Sequence, residues 1–536
     1  MKRRQFLTGT GLLAGASLLP RPARSLRVPA GFYDAKAGLP EPQTVFETSD
    51  PQRQSTYQTA LAILAGNVTV LPHYAKQVLI EGSTYRGIWL EDAPQEGLIY
   101  SLIHPGAGRD NHMAFFDLQH PDGQIACAIK TTSVEFSQIQ MVTPIAATAW
   151  ELSQQTGDSE LLDKAYASCG RWEGWLRRYR DTRRTGLCEG FCTYDTGQDN
   201  SPRWRGIPNQ CPDKDARKCP PLPSLPRLCP DLSATVYSGR IALAAMARAL
   251  GKNSEADRWL AEAHSVQSAI LKLLYSPTDA AFFDLDGQNH FVRVIGDATT
   301  RVLGEHVVDQ KLFETIYQRQ MHNPKAFWAP YPFPSIALDD PSFVRPIPRN
   351  SWGGASQALT ALRAPRWMEH YGKPADLAHL MEQWVAAIVR QPQFRQQMDP
   401  LTGVFTVDRG DYSPCALVLM DFTWRLAGVR QAGDELEWNV RPPTPAEKAS
   451  FRLRSRNGRT AELNYAAGRA ELTLNGKRIC RTGEVVRLVT DLEGKLRRAV
   501  GIGAQASKVR LEHAAGVKHG FTIAPNATLE LDGERS

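Results

Sequence analysis

Between about residues 140 and 427, apolar residues recur at alternating three- and four-residue steps, which restricts this part of the chain to packed amphipathic helices. Leu162, Tyr166, Cys169, Trp172, Leu176 and Tyr179 form one stripe. Leu232, Val236, Gly239, Leu243, Met246 and Leu250 form a second, and Ala256, Leu260, Ala263, Val266, Ile270 and Leu273 a third. Three junctions share one punctuation: Gly157-Asp158-Ser159, Gly251-Lys252-Asn253-Ser254 and Gly372-Lys373-Pro374. Glycine supplies the left-handed residue after a helix, serine can cap the next one, and proline suits a first turn. Such short links make antiparallel helical hairpins. The connections between hairpins are long, at about 180–230, 275–353 and 391–411. Short turns at one end and long loops at the other predict a barrel of helical hairpins with its site on the loop side.

Outside this region the pattern changes. From about 435 the period drops to two, as in Ala461-Glu462-Leu463-Asn464-Tyr465 and Ala470-Glu471-Leu472-Thr473-Leu474, with turns at Asn475-Gly476 and Glu493-Gly494. Residues 435–536 therefore read as a small antiparallel β-domain. Gly501-Ile502-Gly503-Ala504-Gln505-Ala506 imitates a dinucleotide fingerprint but precedes strand-like residues, so no such site is expected. Residues 30–135 are mixed, with a helix near Thr56–Ala65 and a strand near Gln77–Ile80. Residues 1–25 carry Arg3-Arg4, a short apolar run and small residues, the pattern of a twin-arginine signal peptide. That run is too short for a comfortable membrane span, so the expected location is periplasmic or secreted, with 26–434 as the helical domain. The net charge of +7 is spread along the chain with no basic block, which argues against nucleic acid as a partner.

Nine cysteines in an exported chain allow disulfides. Cys188, Cys192, Cys211, Cys219 and Cys229 cluster in and beside a proline-dense stretch from Pro208 to Pro230, which is poor in core-forming residues. Disulfide stapling of that loop is the expectation. A zinc site is the lesser alternative, because the cluster lacks both a Cys-x-x-Cys pair and a histidine. The odd count leaves at least one thiol unpaired within a chain.

The run Tyr194-Asp195-Thr196-Gly197-Gln198-Asp199-Asn200-Ser201-Pro202-Arg203-Trp204 holds two carboxylates, a glycine, an amide and an indole in one irregular segment. Sugar-cleaving sites use a carboxylic acid to protonate the glycosidic oxygen and aromatic rings to hold the sugar face. The plainer reading is a capping loop rich in turn-forming residues. The run resembles a segment of the (α/α)6-barrel glycoside hydrolases related to processing α-glucosidase, trehalase and mannosylglycerate hydrolase. Further stretches resemble that group in the same order: Tyr85-Arg86-Gly87-Ile88-Trp89-Leu90-Glu91-Asp92, Gln138-Ile139-Gln140 through Pro144, Tyr331-Pro332-Phe333-Pro334-Ser335 through Asn350-Ser351-Trp352-Gly353-Gly354, and Asp399-Pro400-Leu401-Thr402-Gly403.

The resemblance implies a mainly α fold, an (α/α)6 toroid followed by a β-domain, and a glycosidase that needs no metal or organic cofactor. It implies Asp199 as general acid and Trp89, Asp92, Gln140, Asp195, Asn200, Trp204 and Trp352 as substrate-binding residues. Each has a structural alternative: Trp89 and Trp352 as core aromatics, Asp92 as a helix cap, Gln140 as a buried amide, Asp339 and Asp340 as loop carboxylates. The chain departs from the group at Gln396, which stands four residues before Pro400, where the group has its catalytic Glu. An amide cannot accept a proton from water near neutral pH. Asp411 and Asp399 are the substitute candidates, with Asp408 also nearby and Glu91, Glu135 and Glu189 elsewhere in the chain. Two other functions stay open: a polysaccharide lyase or unsaturated-uronide hydrolase, which would use Arg203 and Arg205 on an acidic sugar, and a non-catalytic carbohydrate-binding descendant, motivated by Gln396.

Overall fold

In the computed structural model, residues 43–345, 352–406, 410–455, 458–513 and 518–531 are described. The signal-like segment and Asp408 lie outside them. Gly157, Gly251 and Gly372 take φ of 61°, 74° and 69°, so each ends its helix as the punctuation requires. At the first junction the cap is Asp158, whose side chain accepts from Leu161 N; Ser159 is already helical. Pro374 opens its helix.

The helices are α1 (Pro51–Gly66), α2 (Ala93–Tyr100), α3 (Pro105–Asp117), α4 (Ile145–Thr156), α5 (Ser159–Tyr179), α6 (Pro230–Ala249), α7 (Asn253–Leu273), α8 (Ala298–Gly304), α9 (Gln310–Ile316), α10 (Ala358–His370), α11 (Pro374–Arg390) and α12 (Ser413–Ala427). The even-numbered helices touch in cyclic order: α2 packs on α4, α4 on α6, α6 on α8, α8 on α10, α10 on α12, and α12 returns to α2. Odd-numbered helices lie against this ring, α5 on α4 and α6, α7 on α6, and α1 on α11 and α12. Sequence assigns the layers. α12 buries fourteen of its fifteen residues and must be inside, whereas α7 buries five of twenty-one along one stripe and must be outside.

The mixed region before residue 135 contains α2 and α3, and the long connection 275–353 contains α8 and α9, none of which the periodicity predicts. α2 and α8 belong to the inner ring, where burial is all-round and leaves no stripe. α8 is buried throughout yet carries two threonines and Arg301, because its polar groups pair inside the protein. Between 140 and 427 the named strands are two-residue antiparallel pairs, such as Glu189–Gly190 with Arg227–Leu228 and Ser356–Gln357 with Gln397–Met398. These pin the long loops together at the end of the ring that carries the motif.

The β-rich part begins at Val429, slightly earlier than the sequence suggests. One antiparallel sheet runs Val429–Ala432, Glu435–Val440, Val486–Asp491, Leu496–Val500, Thr528–Glu530. The other runs Thr44–Thr48, Ala449–Arg454, Thr460–Ala466, Arg469–Leu474, Lys477–Thr482, Ser507–His513, Lys518–Ile523. Its first strand comes from the start of the described chain, so the β-unit is not a purely C-terminal segment. Gly501 to Gly503 join two strands and open no helix. Among the described residues no helix is long and apolar enough to cross a membrane.

Candidate active site

The chain leaves α5 through Glu189–Gly190 and then turns twice. Thr193–Thr196 makes a single 3-10 turn that ends at Gly197, φ 62°. A Cβ at Gly197 would stand 2.0 Å from Oε2 of Glu91, so glycine is required for backbone and for space. Asn200 takes φ 58°, a region asparagine tolerates. Ser201 Oγ accepts from Arg203 N at 3.3 Å and starts the next turn, Pro202–Trp204. The base of the loop is pinched where Thr193 N donates to Pro208 O at 2.9 Å and Tyr194 N to Asn209 O at 3.0 Å.

Beneath this loop Asp195 is fully buried. Its carboxylate accepts from Arg180 Nη1 at 2.6 Å, Arg180 Nη2 at 3.1 Å, Phe191 N at 2.6 Å and Ile139 N at 2.9 Å. Arg180 also donates to the carbonyls of Glu189 and Ala216. With both oxygens occupied and no exposed surface, Asp195 is framework, which corrects its assignment to the substrate. Trp204 receives the same correction: it is 2% exposed, its Nε1 donates to Thr196 Oγ1 at 2.8 Å, and the guanidinium groups of Arg203 and Arg227 lie 5.5 and 4.9 Å from its ring centre. Its ring fills the loop and offers no face to a sugar.

Arg203 is equally committed. It pairs with Asp231 at 2.7 Å and Asp284 at 2.5 Å and is buried, so it lines no basic cleft; Arg205 is exposed. Arg301 extends the network to Asp297 at 2.7 Å and Asp231 at 3.4 Å, and donates to Thr196 O at 2.6 Å. Charged pairs inside an apolar ring cost desolvation unless every partner is present. Here they fix the loop from below. In the sequence, Asp231, Asp297, Arg301 and Arg363 stand among core-forming neighbours, and all four are buried.

The opposite wall is Tyr85–Asp92. Trp89 is half-buried, meets Tyr85 edge-on at 6.0 Å and has Lys130 Nζ 5.6 Å from its ring. Glu91 Oε2 accepts from Gln140 Nε2 at 2.9 Å, and Gln140, with φ 44°, accepts from Gln138 Nε2 at 3.0 Å. Trp352 N donates to Asp199 O at 2.9 Å, while its ring is buried with Arg301 stacked 5.0 Å away. The Trp89–Asp92 segment, Gln140, the Gly197–Asp199 turn and Trp352 are thus joined by direct contacts, although far apart in sequence. Asp199 is half-buried and Asn200 exposed beside it. Asp92 stands at the N-cap of α2 but caps nothing and is almost fully buried.

Burial shapes the titration of this wall. Desolvation pushes the Asp199 carboxyl up to about 6. Glu91 is pushed up to about 8, first by burial and then by the neighbouring Asp92, against the Gln140 hydrogen bond; Asp92 is pushed up to about 7, chiefly by burial. Glu81 and Glu96 are buried with them and held well above the usual carboxylate range, burial again first. The neighbouring Asp92 and Glu91 charges add to the burial of Glu81, and neither oxygen of Asp92 has a hydrogen-bond partner among the described residues. Neither oxygen of Glu96 meets a donor among the described residues.

An inverting mechanism needs a second carboxylate; Gln396 offers none, and its Oε1 accepts from Tyr85 Oη at 3.2 Å. Asp399 is spent on its own turn: it accepts from Leu401 N at 2.8 Å and Thr402 N at 3.2 Å and pairs with Arg345 at 3.0 Å. That geometry corrects its catalytic assignment. Glu189 is fully buried and bonded to Thr182 and Arg183 N, and Glu135 pairs with Lys130 at 2.9 Å. Asp340 accepts from Ile295 N and Ser342 N, a loop role. Asp411 is half-buried, bridges to Phe394 two residues before Gln396, and accepts from Ser83 N at 3.2 Å, on the loop that carries Tyr85. A cavity of about 450 Å³ lies elsewhere, between the ends of α2, α4 and α12 and the β-unit, and is lined by none of these groups.

A loop-borne carboxyl raised by burial, at the loop end of a helical ring and near half-buried aromatics, is the kind of group that a sugar-cleaving site uses. Residues 99–424 match the mannosylglycerate hydrolase MGH1-like glycoside hydrolase domain. The match spans more than half of the chain, so the chain belongs to this family and is a glycosidase. No match to a curated protein was found. Among solved structures, the GH63 mannosylglycerate hydrolase from Thermus thermophilus in complex with Tris is 18% identical, with a TM-score of 0.57 over 69% of this chain and 100% of that one. A protein described as a sialidase is 16% identical, with a TM-score of 0.62 over 83% of this chain and 41% of that one. A GH78 family rhamnosidase from a Bacillus species is 12% identical, with a TM-score of 0.54 over 79% and 40%. These likenesses are of fold.

Proposed function

We propose that the chain is an exported, inverting glycoside hydrolase on an (α/α)6 toroid, acting on an oligosaccharide or small glycoside, with Asp199 as general acid and Asp411 as general base. The cyclic packing of the even-numbered helices supports the toroid. Asp199 carries the reading: it is a half-buried carboxyl raised to about 6, on a loop fixed by Asp195 and Arg180. In its protonated form it donates to the glycosidic oxygen as the bond to the anomeric carbon breaks. A water deprotonated by Asp411 attacks that carbon from the other face, which requires the two carboxyls to stand about 6.5–9.5 Å apart. Asn200 at the rim, Trp89 and Gln140 would hold the sugar, and Asp92 and Trp352 would back the wall. Complexes of the Thermus enzyme with glucose and with D-glycerate support a small substrate.

The decisive variant is Asp199→Asn, which keeps shape but cannot donate a carboxylic proton. Turnover of a glycoside with a poor leaving group is expected to fall by about 10²–10⁴-fold, and that of an activated aryl glycoside by much less. Equal loss on both substrates, or full activity on the first, defeats the assignment. Export is tested separately by replacing Arg3 and Arg4 with lysine. The unprocessed chain then accumulates in the cytoplasm, and unaltered export refutes the twin-arginine route.

A further inference from the structure

The nine cysteines are all free thiols in the structure, so the expected stapling is not formed there, but two of them meet. Cys192 Sγ and Cys211 Sγ are 3.6 Å apart, from positions separated by nineteen residues. The interval between them contains the whole acid motif, including Asp195, Asp199 and Trp204. Both sulfurs are buried, Cys192 at 0% and Cys211 at 3% exposure, and the half-buried Cys219 packs against the pair. The pinch at Thr193–Pro208 and Tyr194–Asn209 already holds the two ends of this loop together.

We propose that Cys192 and Cys211 form a disulfide that closes the Asp199 loop. A buried pair at van der Waals contact needs only a closing of about 1.5 Å to reach bonding distance. Bonding would replace a contact that open-chain fluctuation can break with a ring that cannot open. The competing use of these atoms is a metal: Cys192, Asp195 and Cys211 present ligand atoms within 4.8 Å of one another. Arg180 opposes it. Its guanidinium occupies the Asp195 carboxylate and has Nη2 3.6 Å from Cys211 Sγ, so a dication would lose the carboxylate and face a buried positive charge.

The chemistry balances with a disulfide oxidant such as oxidised glutathione. Cys211, as its thiolate, attacks one oxidant sulfur and expels a thiolate. The Cys192 thiolate then attacks the Cys211 sulfur of the mixed disulfide and expels the second. Two cysteine thiols are oxidised and one disulfide is reduced to two thiols, which take up the two protons lost. Because both sulfurs are covered, the reaction requires the 208–230 segment to lift, or takes place before that segment closes.

The test treats the purified full chain with oxidised glutathione, alkylates remaining thiols under denaturing conditions and maps non-reduced peptides. The expected result is seven alkylated cysteines and one cross-linked peptide pair containing Cys192 and Cys211. Reduction should lower the unfolding temperature by several degrees, a shift absent in Cys192→Ser and retained in Cys219→Ser. If Cys192→Ser fails to fold, the peptide map alone decides. Nine alkylated thiols, a different pair such as Cys188 with Cys229, or one equivalent of zinc that protects Cys192 and Cys211 would each overturn the proposal. None of these outcomes depends on glycosidase activity, so the function and the disulfide stand or fall separately.

Discussion

Gly197 and Glu91 decide how the acid is presented. A methyl group at Gly197 would collide with the Glu91 carboxylate and would also impose a left-handed backbone on an alanine, at about 1–2 kcal/mol for the backbone alone. Gly197→Ala should therefore displace the turn that carries Asp199 and lower kcat more than it raises KM; a kinetically normal variant would show that the turn yields without cost. Glu91 itself discriminates between candidate bases. Held near 8, it is mostly protonated at pH 6, where glutamine imitates it. If Asp411 is the base, Glu91→Gln keeps most activity at pH 6, whereas Asp411→Asn loses about 10²-fold or more. The reverse pattern would move the base to Glu91. The acid limb follows from Asp199: it must be protonated, so kcat/KM of the free enzyme should fall about tenfold per pH unit above roughly 6. A profile flat to pH 8 would rule out Asp199 as the essential acid.

At the scale of elements, α2 and the segment before it concentrate buried acids, and this concentration has a cost that pH exposes. Glu96 lies in the first turn of α2 with neither oxygen bonded, and its carboxyl is raised by burial. A carboxyl raised in the folded state binds its proton more tightly folded than unfolded. Its contribution is fully present below the unfolded value of about 4.3 and is lost as pH rises through the folded value. Glu96→Gln removes the ionisation, so its gain in unfolding temperature over the parent should be small at pH 5 and grow towards pH 8. An advantage independent of pH would mean that Glu96 is already paired. The same burial explains what the sequence hid. Helices with one wet face, such as α5 and α7, write a stripe and are legible, as are their glycine junctions. Inner helices such as α2 and α8 are wrapped on all sides and fill the core with paired or protonated polar groups, so apolar periodicity fails there. The motif loop was legible because its chemistry is local. That Asp195 and Trp204 face inward was not, because Arg180 and Thr196, which engage them, reveal their role only after folding.

At the scale of the molecule, the β-unit is fastened to the ring by a charge pair that crosses between them. Arg487, on the strand Val486–Asp491, donates from both terminal nitrogens to Glu369 of α10 at 2.7 Å each, and from Nε to Asn439 Oδ1 at 2.6 Å. The Arg487 side chain is 5% exposed and that of Glu369 is 24%, so solvent screens the pair only in part. The guanidinium draws the Glu369 carboxyl down to about 2 against the opposing effect of burial. A depressed carboxylate contributes stability above its unfolded value, and that contribution is lost as pH falls through the folded one. The pair should therefore stabilise fully at pH 6 and progressively less from about 4.3 towards 2. Arg487→Ala takes from a largely buried carboxylate its bidentate partner and leaves only the more weakly acting Arg430 and Arg425. It should cost about 3 kcal/mol at neutral pH, the lower end for breaking such a pair because Glu369 is partly wet and keeps those two charges. The loss should shrink below pH 4, where protonated Glu369 no longer needs the arginine. Replacing both residues with apolar ones of similar volume, Arg487→Met with Glu369→Leu, should recover much of the stability. Denaturant unfolding across pH 3–7 measures all three. A penalty for Arg487→Ala that does not shrink in acid would mean that the side chain holds the two units together by packing and its bond to Asn439, with the ion pair incidental.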